Sequence, residues 1–114
     1  MPTLNQQTNT ASAISAIRAA QALLKQQINA ATDTLTAIKL TNEYSNLDSY
    51  LSQLLHAQNS ADDASFTSAA SALKSQASGL EADETKIKTI VGDVKTATEI
   101  VSYITKALTF IAKL

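Results

Sequence analysis

The sequence predicts an all-α protein, built as a long antiparallel helical hairpin of the coiled-coil type. A hairpin that kinks into a four-helix bundle is the alternative topology. Three observations lead to this prediction: a heptad repeat in the second half of the chain, a composition that lacks turn-forming residues, and one clear turn near the middle. The hairpin and the bundle differ in where the two long arms bend.

The heptad repeat is the strongest signal. Large apolar residues occupy every seventh position of one row, namely Phe66, Leu73, Leu80, Ile87, Val94, Val101 and Leu108. A weaker companion row consists of Ala69, Gln76, Asp83, Ile90, Ala97, Ile104 and Ile111. Such spacing keeps one stripe of a helix facing a partner helix, so it predicts a seam along this half. The polar seam residues Gln76 and Asp83 either fix the register or mark a solvated stretch of the seam.

The composition also favours helices. Two Gly and one Pro supply too few turns for a β protein. Hydrophobic residues make up 45% of the chain, but aromatic residues only 4%, and many of the apolar residues are alanines. Helices of this kind have thin apolar seams and gain more from lateral association than from a large interior.

The clearest turn lies at residues 58–64. Asn59 and Ser60 end one helix there, and Ser60 with Asp63 three residues later predicts a capping box for the next. The arms on either side are of nearly equal length, about 70 Å each if straight at 1.5 Å per residue. Equal arms around one tight turn predict an antiparallel hairpin.

The first arm is predicted to begin after a flexible N-terminal lead at residues 1–10, with residues 11–114 as a single domain. Its helix is expected to start between Thr8 and Ser12, where hydroxyl groups can cap free amides. The apolar stripe of this arm is Ile14, Ile17, Leu24, Ile28, Ala31, Leu35 and Ile38, interrupted by Gln21. A parallel row of mostly alanine residues would let another helix approach closely.

Two weak points are predicted within the arms. Beyond Ile38 the apolar stripe jumps round the helix near Thr41 and Asn42, which favours a kink or short break, with a continuous helix that changes its buried face as the close alternative. The second weak point is Ser78 and Gly79, since glycine destabilises a helix interior, although the heptad row passes through it without losing phase, which favours a continuous helix. Both points fall at one level of the hairpin, so breaks at both would give a long-short-short-long four-helix arrangement.

The C-terminal helix carries more apolar residues than a two-helix seam needs. The excess residues are predicted to form an interaction surface and are Ile100, Tyr103, Ala107, Phe110 and Leu114. Gly92 is expected on the outward side of this helix, where it would allow close approach by a neighbour or be an incidental surface glycine.

Catalysis is not expected. The chain has no Cys and a single histidine, His56, which is expected on the surface, so no metal site is predicted. Asp62 and Asp63 suit the start of a helix better than an acid–base pair. Phosphate loops and nucleophile motifs are missing from the sequence, and no cofactor or small-molecule substrate is predicted. A net charge of −1 with sparse basic residues argues against nucleic-acid binding.

The sequence therefore predicts a non-enzymatic helical module for protein–protein interaction or scaffolding. It would associate with copies of itself, or with a helical protein partner, through the apolar C-terminal helix. The alternative is a helical protein that lies on a lipid interface or a hydrophobic particle, which is less favoured because Trp is absent and Lys is sparse. Neither a signal peptide nor a membrane-spanning segment is predicted, so the cytoplasm is the default expectation, with signal-less export as the alternative.

Overall fold

The computed structural model describes residues 2–60 and 62–114, and the secondary structure in these ranges is entirely helical. The helices are α1 (Leu4–Ala30), α2 (Thr34–Gln58), α3 (Asp63–Ser75), α4 (Ala77–Ile90) and α5 (Val94–Ala112). Only Gln76 separates α3 from α4, so these two form one bent segment. The chain thus makes four helical segments in an up-down-up-down order, in which α1 packs against α2 and α5, and the α3–α4 segment packs against both α2 and α5.

The all-α prediction is confirmed, and the topology is a four-helix bundle, but not the predicted long-short-short-long arrangement, because the two middle segments are about as long as α1. The molecule measures 47 × 21 × 20 Å, which leaves no room for straight arms of about 70 Å. Each predicted arm folds back on itself, at residues 31–33 and 91–93 respectively. The predicted turn at 58–64 is present between α2 and α3, although Ala61 lies outside the described residues.

The predicted break near Thr41 and Asn42 is wrong, because α2 runs through both residues without interruption. The chain turns instead at residues 31–33. Leu35 and Ile38, predicted to continue the stripe of the first helix, belong to α2 and are 62% and 52% exposed. The jump in the apolar stripe therefore arises from a change of helix and not from a kink within one.

The second predicted weak point lies close to a real interruption, which is at Gln76 and not at Ser78 and Gly79, so the continuity favoured by the heptad phase is wrong. The carbonyl of Gln76 accepts hydrogen bonds from the Gly79 amide at 2.9 Å and from the Tyr50 hydroxyl at 3.2 Å. Gln53 also donates to the Gln76 side chain at 2.8 Å. A Cβ at residue 79 would collide with the Tyr50 hydroxyl, so glycine there lets α2 hold the bend.

The heptad row does not form one continuous seam. Its first four members, Phe66, Leu73, Leu80 and Ile87, are buried, whereas Val94 is 77% exposed. In α5 the predicted companion row is buried instead, at Ala97, Ile104 and Ile111, together with Ile100 and Ala107, and Leu114 is buried just beyond the end of the helix. The loop at residues 91–93 separates α4 from α5, so the face that α5 buries is independent of the face that α4 buries. The seven-residue spacing continues across this loop by coincidence. Gly92 lies in this loop and not on the outward side of a helix.

Every helix that follows a long connection begins with the same cap. Asp33, Asp62 and Asp93 each precede the first residue of α2, α3 and α5, and each is followed three residues later by Thr or Ser. One carboxylate oxygen accepts a backbone amide at 2.8, 2.8 and 3.2 Å, respectively, and the other accepts the hydroxyl of Thr or Ser at 2.8, 3.2 and 2.7 Å. These hydrogen bonds lower the pKa of all three carboxyl groups. The cap of α3 is therefore Asp62 and not the predicted Ser60.

Removing one of these caps should have a measurable cost. Asp33→Ala is expected to lower the free energy of unfolding by about 1 kcal/mol, because the first amides of α2 lose their acceptor. Asp33→Asn is the matched control, since Asn caps about as well as Asp and should retain most of the stability. Urea denaturation of the three proteins measures the difference. Equal losses in the two variants would show that the cap geometry is not the cause.

The N-terminal lead is helical from Leu4 onward, because α1 begins there and not between Thr8 and Ser12. Thr3 and Gln6 form a reciprocal capping box at this end. The Gln6 amide also donates to the carbonyl of Leu114 at 3.2 Å, so the two ends of the described chain are joined. Met1, part of the predicted lead, lies outside the described residues.

Candidate functional site

The structure divides the predicted interaction surface into two groups. Ile100 and Ala107 are fully buried, and Leu114 is 9% exposed, so these three residues belong to the core and not to a surface. Tyr103 and Phe110 are only half-buried. These three residues are buried because α5 packs against both α1 and the α3–α4 segment. A helix with two such neighbours needs a wider apolar face than a helix in a hairpin seam does.

Tyr103 and Phe110 flank a shallow groove between α1 and α5, with a volume of about 650 Å³. The α1 side of this groove is built from small residues, which include Thr8, Ala11, Ser12, Ser15 and Ala19. The two aromatic rings are seven residues apart on one helix, which places them about 10 Å from each other along the axis. We call this set of residues, together with Lys106, the α1/α5 surface.

Cations accompany both rings. The Lys106 ammonium lies 5.2 Å from the centre of the Tyr103 ring, and the Lys113 ammonium lies 5.9 Å from that of Phe110. Such contacts are weakly favourable at exposed sites, about 0.5 to 1 kcal/mol each. They hold two positive charges beside the two aromatic side chains, so the α1/α5 surface combines apolar rings with basic groups.

Basic and acidic side chains are concentrated on different helices of the bundle. Helices α1 and α5 contain four basic residues, Arg18, Lys25, Lys95 and Lys106, and one acidic residue, Glu99, and a fifth basic residue, Lys113, directly follows α5. The other helices and the connections contain nine acidic residues and four basic ones. The bundle therefore has a basic side and an acidic side, although its net charge is only −1.

A second groove lies between α2 and α3 and has a volume of about 700 Å³. Mostly small or uncharged side chains line it, among them Ser52, Gln53, His56, Ala64, Ser68 and Ala72. His56 is exposed there, as the sequence predicted for the single histidine. Because α2 and α3 are not the helices that form the α1/α5 surface, the α2/α3 groove and the α1/α5 surface occupy different sides of the bundle.

Two carboxyl groups are buried midway along the bundle. Glu43 of α2 and Asp83 of α4 are each 4% exposed. Asn46 donates to Asp83 at 3.3 Å, whereas the Oε2 atom of Glu43 is buried without a hydrogen-bond partner in the described part of the chain. Burial raises the pKa of Glu43 to about 7, with further contributions from its hydrogen bond to Asp83 and from the charge of that residue. At neutral pH the Glu43 carboxyl is therefore close to half protonated.

Sequence reasoning found only half of this pair. Asp83 is recognisable in the sequence as a polar residue at a seam position. Glu43 is not, because a break placed near Thr41 leaves the helical phase of α2 undefined. With α2 continuous, Glu43 falls on the buried stripe between Leu40 and Leu47. A spacing of three from one leucine and four to the next was the signal for it.

A further buried polar contact joins α1 to α2. Gln21 is 4% exposed, and its amide donates to the Asp48 carboxylate at 3.2 Å and to the backbone carbonyl of Tyr44 at 3.4 Å. The interruption in the apolar stripe of α1 is therefore a specific contact. Buried polar groups that are paired in this way fix the register between neighbouring helices.

Within residues 2–60 and 62–114, no cluster of three or more His, Cys, Asp or Glu side chains is placed to hold a metal ion. None of the five helices is both long and apolar enough to cross a membrane, as judged over the same ranges. The features that remain are the α1/α5 surface, the α2/α3 groove and the buried carboxyl pair.

Comparisons with protein-family models, with curated proteins and with solved structures found no match to this chain.

Proposed function

We propose that this chain is a non-enzymatic helical module that associates with copies of itself through the α1/α5 surface. The observation that carries the proposal is the position of Tyr103 and Phe110, which stay partly exposed beside a groove, whereas Ile100 and Ala107 of the same helix are fully buried. The chain contains only three Tyr and two Phe, so two of its five aromatic residues stand at this groove. Aromatic side chains supply a large share of the binding energy at protein interfaces.

The α1 side of the groove supports the same proposal. Alanine and serine residues there let a second helix approach closely, and the adjacent rings provide the larger side chains that such a contact needs. Binding at a lipid interface is the competing function. It is less favoured because most of the excess apolar residues of α5 face the core, which leaves a small apolar area for insertion into lipid.

The double variant Tyr103→Ser with Phe110→Ser tests this proposal. We expect the wild-type protein to associate in a concentration-dependent manner and the variant to dissociate at least about a hundredfold more readily, because two aromatic anchors are lost. Helicity should be retained, since neither ring is fully buried. Sedimentation velocity gives the mass, and circular dichroism gives the helicity.

The matched control is Ser102→Ala with Thr109→Ala, which changes two exposed residues of α5 outside the groove and should leave association intact. The same runs are repeated with anionic vesicles of phosphatidylserine and phosphatidylcholine. A wild-type protein that remains monomeric at every concentration contradicts self-association. If that monomer also binds the vesicles, and the double variant does not, lipid binding is the function of this surface.

A further inference from the structure

We propose that the contact between copies is heterologous: the α1/α5 surface of one copy docks on the α2/α3 groove of the next. Association is then open and chain-like, and a closed dimer is not the end point. This inference rests on the proposed self-association and specifies its geometry. It follows from the relative position, the level, the side-chain sizes and the charge of the two surfaces.

The relative position follows from the packing order. Around the bundle, α1 is next to α2 and α5, and the α3–α4 segment is next to both α2 and α5. The pair α1 and α5 therefore forms one side of the bundle, and the pair α2 and α3 contributes to the opposite side. A copy that is shifted sideways by one bundle width, 20 to 21 Å, presents its α2/α3 groove to the α1/α5 surface of its neighbour.

The two surfaces also lie at the same level along the bundle axis. Phe110 is near the C-terminal end of α5 and faces Thr8 and Ala11 in the first turns of α1. These same turns share a hollow with Gln58, at the end of α2, and with Phe66 at the start of α3. The α2/α3 groove begins at this end too, since His56 and Ala64 line it. A sideways shift without rotation thus brings Phe110 opposite the groove.

The fit between the surfaces is one of large against small side chains. Tyr103 and Phe110 are the large residues of the α1/α5 surface. In the α2/α3 groove, the α3 wall consists of alanine and serine residues, such as Ala64, Ser68 and Ala72. The groove volume of about 700 Å³ is sufficient for aromatic rings that enter from a neighbouring copy.

The charges favour this arrangement over a symmetric one. A symmetric dimer through the α1/α5 surface would set two basic sides against each other, and Lys106 and Lys113 would approach their counterparts. In the heterologous contact these lysines face the acidic side, where Asp62 and Asp63 stand at the start of α3 beside the groove. Opposite charges at the rim of an apolar contact set the orientation of the partners.

A mixing experiment with two complementary variants tests the inference. The first variant is Tyr103→Ser with Phe110→Ser, which removes the rings and keeps the groove. The second is Ser68→Arg with Ala72→Arg, which fills the groove with bulky cations and keeps the rings. Both substituted positions of α3 are exposed, so the fold should persist. The matched control is Thr67→Arg with Ser71→Arg, which adds the same charge to exposed positions of α3 outside the groove.

We expect the wild-type protein and the control to form a concentration-dependent series larger than a dimer, which weakens as salt is added. Each of the two variants alone should be monomeric. Their equimolar mixture should form a one-to-one heterodimer that does not grow, because only one intact contact is available. Sedimentation velocity and native mass spectrometry measure these species.

Two results would overturn the inference. If the wild-type protein forms a closed dimer that the groove variant also forms, the contact is symmetric, and self-association stands while its heterologous geometry falls. If the two variants stay monomeric when mixed, the rings and the groove do not meet, with the same consequence. A wild-type protein that is monomeric throughout removes the proposed function and this inference together.

Discussion

Replacement of Ile104 by Asp is expected to unfold the protein. Ile104 lies at the centre of α5 with none of its surface exposed. The variant loses a buried apolar side chain and gains a charge without a partner, at a cost of several kcal/mol, about the whole stability of a small domain. Circular dichroism at room temperature should show a large loss of helicity.

Val94→Asp provides the matched control. Val94 is an apolar residue in the same helix, yet it is 77% exposed. It is also the first residue of α5, where a carboxylate is favoured by the helix dipole. We expect its melting temperature to stay near that of the wild type. If Val94→Asp destabilised the protein as much as Ile104→Asp did, the heptad row would be the true seam and the phase of α5 would be wrong.

The second large effect concerns pH. The pKa of Glu43 is raised from 4.5 to about 7, so the folded state holds a proton that the unfolded state has already released. The contribution of Glu43 to the free energy of unfolding is therefore fully present below pH 4.5, and this contribution is lost as the pH rises through about 7. The loss amounts to about 2 to 3 kcal/mol. The capping Asp residues have lowered pKa values, so they change the free energy of unfolding only at a pH below this range.

Urea denaturation at pH 5 and pH 8 measures this loss. Glu43→Gln should remove most of the difference between the two pH values, because Gln carries no titrating proton and can still donate to Asp83. The charged and titrating groups that act on Glu43 are Asp83 and Lys86, and both stay in place in the variant. Equal pH dependence in the wild type and in Glu43→Gln would show that Glu43 is ionised in the fold without cost.

The sequence was a good guide to helical structure but a poor guide to where the helices end. The heptad row from Phe66 runs through residues 91–93 without a change of spacing, so periodicity could not distinguish one helix from two. In the first arm, Leu35 and Ile38 match the stripe of α1 by chance. The decisive signals were the Asp residues at 33, 62 and 93, each followed three positions later by Thr or Ser. These caps mark every helix start after a connection.

The site could be predicted only in part for a related reason. The excess of apolar residues on α5 was visible in the sequence, but which of them remain exposed depends on how many helices surround it. Because α5 packs against both α1 and the α3–α4 segment, its buried face is wide and includes Ile100 and Ala107, whereas Tyr103 and Phe110 reach the surface. The basic and acidic sides of the bundle likewise emerge only from the order in which the helices pack.

The distance between Asn5 and Asn59 tests the four-helix bundle most directly. Both residues are exposed, and the chain has no cysteine, so the double variant Asn5→Cys with Asn59→Cys can be labelled at these two positions alone. Pulsed electron paramagnetic resonance on labelled protein diluted with unlabelled protein gives the distance within one chain. The bundle places both residues at one end, within about its 21 Å width plus the length of the labels. A straight arm would separate them by about 80 Å, and a distance of that order would contradict the fold on which the proposed surfaces depend.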